Sequence, residues 1–441
     1  MRISIIIRFV CFIAVMCLMV TTGTSAQQLY PMGGPGQKIG FHVDYSWFDS
    51  NQEGKVLLEV YYKVFNKYLT FVRESGDYQA TYEVTIALYS GRDEQIDGHV
   101  KQRSFTVPSY SKTLSDVDFR VSQVNFLVPP GKYKIKSTLT DKNAGTSVER
   151  EMKVELDDFD SRHAELSGVE FVYVVDSARD NSPFNKDKWS IIPSVIRSYG
   201  GDSVVPLLYY HEIYQGQDGR EEVFIDTRVL NHKYDAVYYD TLTSIFYDNI
   251  IRQIRHVTLS GIPSGDYYLD ITLRGRRNKS LDNIRTPFRI SWSPEALFRN
   301  DFKTALKQIE YIGKSDEIKE LKEATTSEAR MSAWNNFWFR RDPTPNTVRN
   351  EAKEDYYRRI EYTNRYFSLL GKEGWRTDRG RIYIQYGEPD QIEDFPFEAI
   401  NEFAYQVWYY YQIGIRRKFT FEDRWGDGDY RLRYPYDGII R

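Results

Sequence analysis

From Val56 to Leu273 apolar residues keep returning at every second position, a pattern that calls for strands with one buried face and excludes a helical bundle. Val56, Leu58, Val60, Tyr62 and Val64 make one such face, and Ala80, Tyr82, Val84, Ile86 and Leu88 make another. The pattern continues through Phe126 and Val128 to Pro129-Pro130-Gly131, then Tyr133, Ile135, Ser137 and Leu139. The same phrase returns as Pro263-Ser264-Gly265, followed by Tyr267, Leu269, Ile271 and Leu273. Two matching strand-turn-strand endings predict two all-β units in tandem, residues 40–157 and 165–293, with the acidic run from Asp157 to Asp160 as the joint. The Pro-x-Gly-x-Tyr phrase is typical of immunoglobulin-like or fibronectin-like sandwiches and carries no information about function. Between Ser177 and Ser203, Pro183, Trp189, Pro193, Gly200 and Gly201 interrupt the alternation, so a long loop is expected there.

At Ser293-Pro294 the period changes. Ser293 suits an N-cap and Pro294 the first helical position. Helical spacing follows in Phe302, Leu306 and Ile309, then in Ile318 and Leu321, then in Trp334, Phe337 and Trp338. Thr347 is expected to cap a longer helix carrying Ala352, Tyr356, Ile360 and Phe367, with Gly371 ending it. The fold class expected is therefore multidomain: two tandem all-β sandwiches, then residues 294–441 as a helical segment plus an α+β domain, with helices packed on a small antiparallel sheet.

The N-terminus bears on location. Arg2 and Arg8 precede an apolar run from Phe9 to Val20, and small residues end at Ala26, so residues 1–26 read as a secretory signal peptide. Residues 27–39, rich in proline and glycine, read as a flexible leader. No later stretch approaches the roughly 20 apolar residues of a membrane span. Both cysteines, Cys11 and Cys17, fall inside the signal, so the exported chain would have no thiol chemistry. A formal net charge of −3 offers no basic face for nucleic acid. The expected location is the periplasm or the cell exterior.

The densest cluster of unusual residues lies near the C-terminus: Gly374-Trp375-Arg376-Thr377-Asp378-Arg379-Gly380-Arg381, running on through Ile382, Ile384, Tyr386 and Gly387 to Pro389 and Asp390. With Trp338-Phe339-Arg340-Arg341-Asp342-Pro343 upstream, this resembles the GWxTD domain of bacterial exported proteins over about Ser327 to Tyr430. The resemblance implies an exported location and no particular reaction. The Gly-x-Pro turn followed by an aromatic strand is also similar to the small lipoprotein subunit of the outer-membrane β-barrel assembly machinery, which implies a protein-contact module. Read physically, Gly374 and Gly380 permit close backbone approach, Trp375 can seal a junction, and Thr377 or Asp378 can bond a turn amide. Ile382, Ile384 and Tyr386 alternate, so a strand is expected there, with two more at 406–411 and 418–422.

The catalytic inventory is thin. The six histidines show no metal-like spacing, and Asp423, Asp427 and Asp429 lack the Asp-x-Asp-x-Asp-Gly order of a calcium loop, so no metal and no cofactor is expected. Asp378 and Asp390, with Arg379 and Arg381, could form a polar site, but turn bonds and ion pairs are the simpler reading. The expectation is a non-enzymatic envelope scaffold or interaction module whose signature domain contacts an envelope protein, or a glycan or peptide. The alternative is a hydrolase or glycan-acting enzyme sited around Asp378 and Asp390. The export reading predicts that the protein found in cells starts at Gln27 and lies outside the cytoplasm; N-terminal sequencing that finds Met1 intact in cytosolic protein overturns it.

Overall fold

A computed structural model describes residues 40–434 except 51, 116, 160–161, 202–205, 218, 220–221, 346–349, 370–371, 397–402 and 412–416. The expected signal peptide and leader, residues 1–39, lie outside them, as do Thr347 and Gly371. Among the described residues the chain is mostly β, with sandwich-like sheets followed by a C-terminal region that carries the helices. No helix there is long and apolar enough to cross a membrane.

The first unit contains β1 (Phe41–Asp49), β2 (Val56–Phe65), β3 (Asp77–Ser90), β4 (Gln95–Val107), β5 (Phe119–Val128), β6 (Gly131–Asp141) and β7 (Thr146–Leu156). One sheet runs β1-β2-β5, and the facing sheet runs β4-β3-β6-β7. Val56, Leu58, Val60 and Val64 from the first sheet share one apolar cluster with Tyr82, Val84, Ile86 and Leu88 from the second. The alternation in the sequence is thus the inner face of each sheet.

The second unit contains β8 (Glu170–Ser177), β9 (Trp189–Pro193), β10 (Ser198–Gly201), β11 (Leu207–Tyr214), β12 (Glu222–Leu230), β13 (Ala236–Ile245), β14 (Ile250–Val257), β15 (Gly265–Arg274) and β16 (Ser280–Trp292). Its sheets run β9-β8-β11-β14 and β10-β16-β15-β12-β13. Apart from β9 and β10, this repeats the first unit: β12, β13, β15 and β16 stand where β3, β4, β6 and β7 stand, and β8-β11-β14 stands where β1-β2-β5 stands. The repeated phrase has the same geometry both times. Gly131 and Gly265 take φ of 147° and 154°. The hydroxyl of Tyr133 then donates to the Pro129 carbonyl at 2.7 Å, and that of Tyr267 to the Pro263 carbonyl at 2.9 Å. Each bond pins the strand that follows the turn, a contribution of about 1 kcal/mol.

The loop expected between Ser177 and Ser203 is instead partly strand. β9 pairs antiparallel with β8, and β10 pairs parallel with β16. The glycines that read as interruptions serve a close approach: a Cβ at Gly200, where φ is 122°, would sit 2.4 Å from the Ser291 carbonyl oxygen.

The two units join through a buried seam in which Phe48 and Leu57 of the first unit cluster with Val172, Ile191 and Tyr210 of the second, and polar groups bridge the rest. The Gly168 amide donates to the Trp47 carbonyl at 2.8 Å, and a Cβ at Gly168 would lie 2.6 Å from Ser46 Oγ. Arg197 grips Asp44 with two hydrogen bonds of 2.7 and 2.6 Å. Lys186 donates to Glu59 at 2.6 Å and lies 3.9 Å from Glu170. One ammonium therefore faces two buried carboxylates.

C-terminal to β16 come α1 (Pro294–Asn300), α2 (Phe302–Ile309), α3 (Ser315–Glu323), α4 (Ser327–Phe339), α5 (Glu351–Tyr366) and α6 (Asp378–Tyr386), then β17 (Gln391–Phe395), β18 (Ala404–Tyr410), β19 (Arg417–Asp423) and β20 (Arg431–Tyr434). The Ser293 side chain caps α1 as expected, whereas α5 is capped by Asn350, whose side chain accepts from the Lys353 amide. The change of period at Ser293 changes the secondary structure without interrupting the core. Leu269, Phe288, Phe298, Trp334, Trp338 and Ile360 belong to one buried cluster, and Phe298 stacks on Trp334 at 4.4 Å.

The buried seam carries a pH dependence. Burial, opposed by Lys186 and reinforced by Glu59, pushes the Glu170 carboxyl up from 4.5 to about 8. A folded pKa above the unfolded one makes folding take up a proton, so this stabilisation is complete below about pH 4.5 and is lost as pH rises through about 8. Glu170→Gln, neutral at every pH, should accordingly lose less stability than the native chain between pH 5 and 9, by on the order of a few kcal/mol. Denaturant melts across that range check it, and a difference between the two proteins that does not change with pH counts against it.

Candidate functional site

The signature residues meet where α5, α6 and the C-terminal sheet come together. A short 3-10 turn, Gly374–Arg376, lies against α5 so closely that a Cβ at Gly374 would sit 1.7 Å from the Thr363 carbonyl oxygen. No other residue fits without separating the two backbones. Gly380 is equally constrained, since its Cβ would meet the Gly374 carbonyl oxygen at 1.9 Å. Thr377 closes the loop between them. Its hydroxyl donates to the Gly374 carbonyl at 2.7 Å and accepts from the Gly380 amide at 3.0 Å, which caps α6.

Trp375 is buried. Its amide donates to Asn364 Oδ1 at 3.1 Å, its carbonyl accepts from the Tyr311 hydroxyl at 3.0 Å, and Arg376 lies over its ring. Asp378 begins α6 and is also buried. Its Oδ2 accepts from the Leu432 amide at 2.8 Å, which ties the helix start to β20, and Arg381 approaches it at 3.7 Å. Arg379 bonds Gln406 and the Gly428 carbonyl and lies over the Tyr430 ring at 4.2 Å; burial lowers its pKa from the ordinary value. Tyr386 packs on Tyr410 and Phe419 and accepts from Arg417. Gly387, at φ 85°, ends the helix, and its carbonyl accepts from the Tyr410 hydroxyl at 2.9 Å. Pro389 is half-buried in the turn that follows. Asp390 caps the next strand pair, its Oδ2 accepting from the Tyr411 amide at 2.6 Å.

Two sequence expectations are corrected here. The stretch from Ile382 to Tyr386 is helix, not strand. Its alternation is real but has another cause: Ile384 belongs to the core shared with the second unit, while Ile382 and Tyr383 belong to the C-terminal cluster. A helix held between two cores buries residues two apart, and period alone cannot distinguish that from a strand. The sheet accordingly has four strands, β17-β18-β19-β20, rather than three.

The acidic tip at Asp423, Asp427 and Asp429 is a set of turn bonds. Asp423 accepts from the Asp427 and Gly428 amides at 3.1 Å each, and Lys372 holds Asp429 at 2.8 Å. The aromatic strand β18 divides its rings. Trp408 and Tyr410 enter the core with Phe367 and Tyr386. Tyr405, Tyr409 and Tyr411 lie on the other face, where Tyr405 stacks on Phe395 at 4.4 Å and Tyr409 on Tyr411 at 6.1 Å.

Sequence reading missed two features. Asn364 on α5 and Ser368 just past its end hold the amides of Trp375 and Gly374, but a polar residue in or beside a helix gives no sign of such a role. A cleft of about 910 Å³ also lies beside the signature, lined by Asp266, Arg289, Tyr357, Glu361 and Glu373 among others. Burial raises the Glu373 carboxyl above its ordinary value despite the Arg376 bond, while Arg289 clamps Asp266 at 2.7 and 2.9 Å. The cleft residues are far apart in sequence, so no motif announces them. Among the described residues no cluster of three or more potential metal ligands occurs.

Residues 298–434 match the family model of the GWxTD domain. No curated protein matches the chain. Among solved structures, red sea bream transglutaminase is 10% identical with a TM-score of 0.18, over 57% of this chain and 32% of that one. A calcium-binding mutant of Bacteroides uniformis β-glucuronidase 2 is 9% identical with a TM-score of 0.20, over 56% of this chain and 28% of that one. This chain therefore spans a third or less of either structure.

If the signature is a joint, its residues should matter for stability in order of burial and approach. Trp375→Ala should lower stability by about 3 to 5 kcal/mol. Gly374→Ala should be at least as damaging as an overpacked core substitution, about 1 to 3 kcal/mol. Asp378→Asn should remove only about 1 to 3 kcal/mol of charge-assisted bonding. Urea melts of the three variants rank them, and a Gly374→Ala chain as stable as the native one contradicts the close approach.

Proposed function

With a GWxTD domain over residues 298–434 as the premise, we propose that this chain is an exported envelope protein that acts as a non-enzymatic interaction scaffold. Two immunoglobulin- or fibronectin-like arms carry the C-terminal domain, and that domain contacts an envelope protein partner. The observation that carries this reading is the fate of the signature: the polar atoms of Thr377 and the Oδ2 of Asp378 are engaged by backbone groups inside the fold. Such residues build a platform and leave recognition to the surface it supports. The surface that fits is the outer face of the C-terminal sheet, where Phe395, Tyr405, Tyr409 and Tyr411 stand together and Tyr411 is 47% exposed. Rigid aromatic rings with a polar tip are the groups most enriched at protein contacts.

A hydrolytic reading has one observation in its favour, the raised carboxyl of Glu373 in a cleft that also holds Asp266. An enzyme of that kind would use those carboxylates rather than Asp378 and Asp390, and Glu373→Gln would abolish its activity with the fold intact.

Affinity capture from envelope extract tests the scaffold reading, with a Tyr405→Ala/Tyr411→Ala double variant as the control. Deleting the domain is a poorer control, because the domain shares a core with the second unit. The expected outcome is a partner retained by the native chain and reduced at least tenfold by the variant, a loss of about 1.4 kcal/mol or more. Equal recovery by both counts against that face.

A further inference from the structure

We propose that Lys186 and Glu59 condense to an amide, a covalent staple that the folded chain forms by itself across the seam between its two sandwich units, with Glu170 carrying the proton. Val56, Leu58, Val60 and Tyr62 of β2 fill the first unit's own core, so Leu57, Glu59 and Tyr61 point the other way, into the seam. Lys186 belongs to the two-residue strand Asn185–Lys186 that pairs with β9, and Glu170 opens β8. The Lys186 Nζ lies 2.6 Å from Glu59 Oε1 and 3.9 Å from Glu170 Oε2, and the three side chains are 9%, 5% and 1% exposed. The surroundings are apolar: Nζ sits 3.6 Å from the centre of the Phe48 ring, and Phe48, Val172, Ile191 and Tyr210 form the buried cluster beside it.

Three features separate this site from a plain buried ion pair. The first is the second carboxyl group. Glu170 Oε2 is buried and makes no hydrogen bond, and burial pushes this carboxyl up to about 8, so near neutral pH it holds a proton. The second is the bracing of Glu59, whose Oε2 accepts from the Tyr61 hydroxyl at 2.7 Å and leaves Oε1 to the amine. A donor fixed on one carboxyl oxygen stabilises the charge that gathers there when the carbon is attacked. The third is the choice of cation. The seam's other pair uses Arg197, which grips Asp44 with two bonds and cannot give up its proton. A lysine amine can, and is then a nucleophile.

The step balances with the groups present. Nζ passes a proton to Glu59 Oε1, which gives a neutral amine beside a neutral acid; removal from water narrows the advantage of the charged pair over this form. The nitrogen lone pair then attacks Glu59 Cδ, and charge gathers on Oε2 under the Tyr61 hydroxyl. Glu170 donates its proton to Oε1 as the Cδ–Oε1 bond breaks, and takes one back from the nitrogen. One amide and one water result, and Glu170 is restored. Holding amine and acid in contact replaces an activated intermediate with high effective concentration. The staple would tie residue 59 of the first unit to residue 186 of the second. No disulfide can do this, because the chain's only cysteines are Cys11 and Cys17, outside both units. The inference rests on the seam alone and stands or falls apart from the role proposed for the C-terminal sheet.

Peptide mapping of the full chain, purified folded and then denatured and digested with trypsin, reads the bond directly. Residues 56–63 should appear joined to residues 180–188, with no cut after Lys186 and a mass one water below that of the two peptides together. Fragment ions should place the link between Glu59 and Lys186. Lys186→Arg keeps the charge, cannot form the amide, and should give separate peptides. Glu170→Gln should give at least about tenfold less joined peptide, a loss of the size expected when a positioned acid is removed, with an unchanged circular dichroism spectrum. A native chain that yields only separate peptides overturns the proposal and leaves the pair as an ion pair. A link from Lys186 to any other carboxyl overturns the assignment of Glu59, and an equal yield from Glu170→Gln overturns the role of Glu170. If Glu170→Gln does not fold, the map of the native chain decides alone.

Discussion

The C-terminal third of this protein depends on a core that it does not own. Phe288 and Leu269 from the second sandwich and Phe298, Trp334 and Trp338 from the helices lie in one apolar cluster. The helices α1 to α4 are each 13 residues or shorter, and isolated helices below about 12 to 15 residues are marginal in water. Docked on the open end of the sandwich, they present a finished surface to α5. The signature turn is then built on α5, and the last sheet on the signature turn. Each layer inherits its position from the one before.

That order explains why the most distinctive residues in the chain are also among the least accessible. Gly374 is needed because a carbonyl of α5 occupies the space of a side chain, and Gly380 because the carbonyl of Gly374 does the same. Thr377 bridges both glycines with a single hydroxyl, and Asp378 reaches forward to β20. A motif of this kind records a packing solution. Its chemistry lies in backbone satisfaction, where an unmet buried amide is more destabilising than a met one is stabilising. On the far face of the sheet stand the rings of Tyr405, Tyr409 and Tyr411.

The seam between the sandwiches works differently. It is held by Asp44 with Arg197 and by Lys186 between Glu59 and Glu170, all largely removed from water. Buried ion pairs contribute little net stability compared with apolar packing, but they tolerate only one arrangement. Through Glu170 the seam also makes part of the stability depend on pH. A tandem of sandwiches joined by a flexible linker would have neither property.

The alternation from Val56 onward was enough to show strands, and the doubled Pro-x-Gly-x-Tyr phrase was enough to show that two units share a plan. Both are legible because each strand reports its own buried face through a period of two, and because one tyrosine must reach one carbonyl four residues back. The clustering of Gly374, Trp375, Thr377 and Asp378 was legible as well, though not what each one touches. Three things required the tertiary structure. Ile382 to Tyr386 alternates like a strand yet is a helix, because cores on two sides of it bury neighbouring positions. The cleft beside Glu373 gathers residues from Lys67 to Glu373, and no local pattern encodes their meeting. The order of strands in each sheet, with β13 outermost among the described residues, is likewise not stated by the sequence. Local periodicity reports what one segment buries; which segments bury each other is settled by the single packing arrangement that satisfies all of them together.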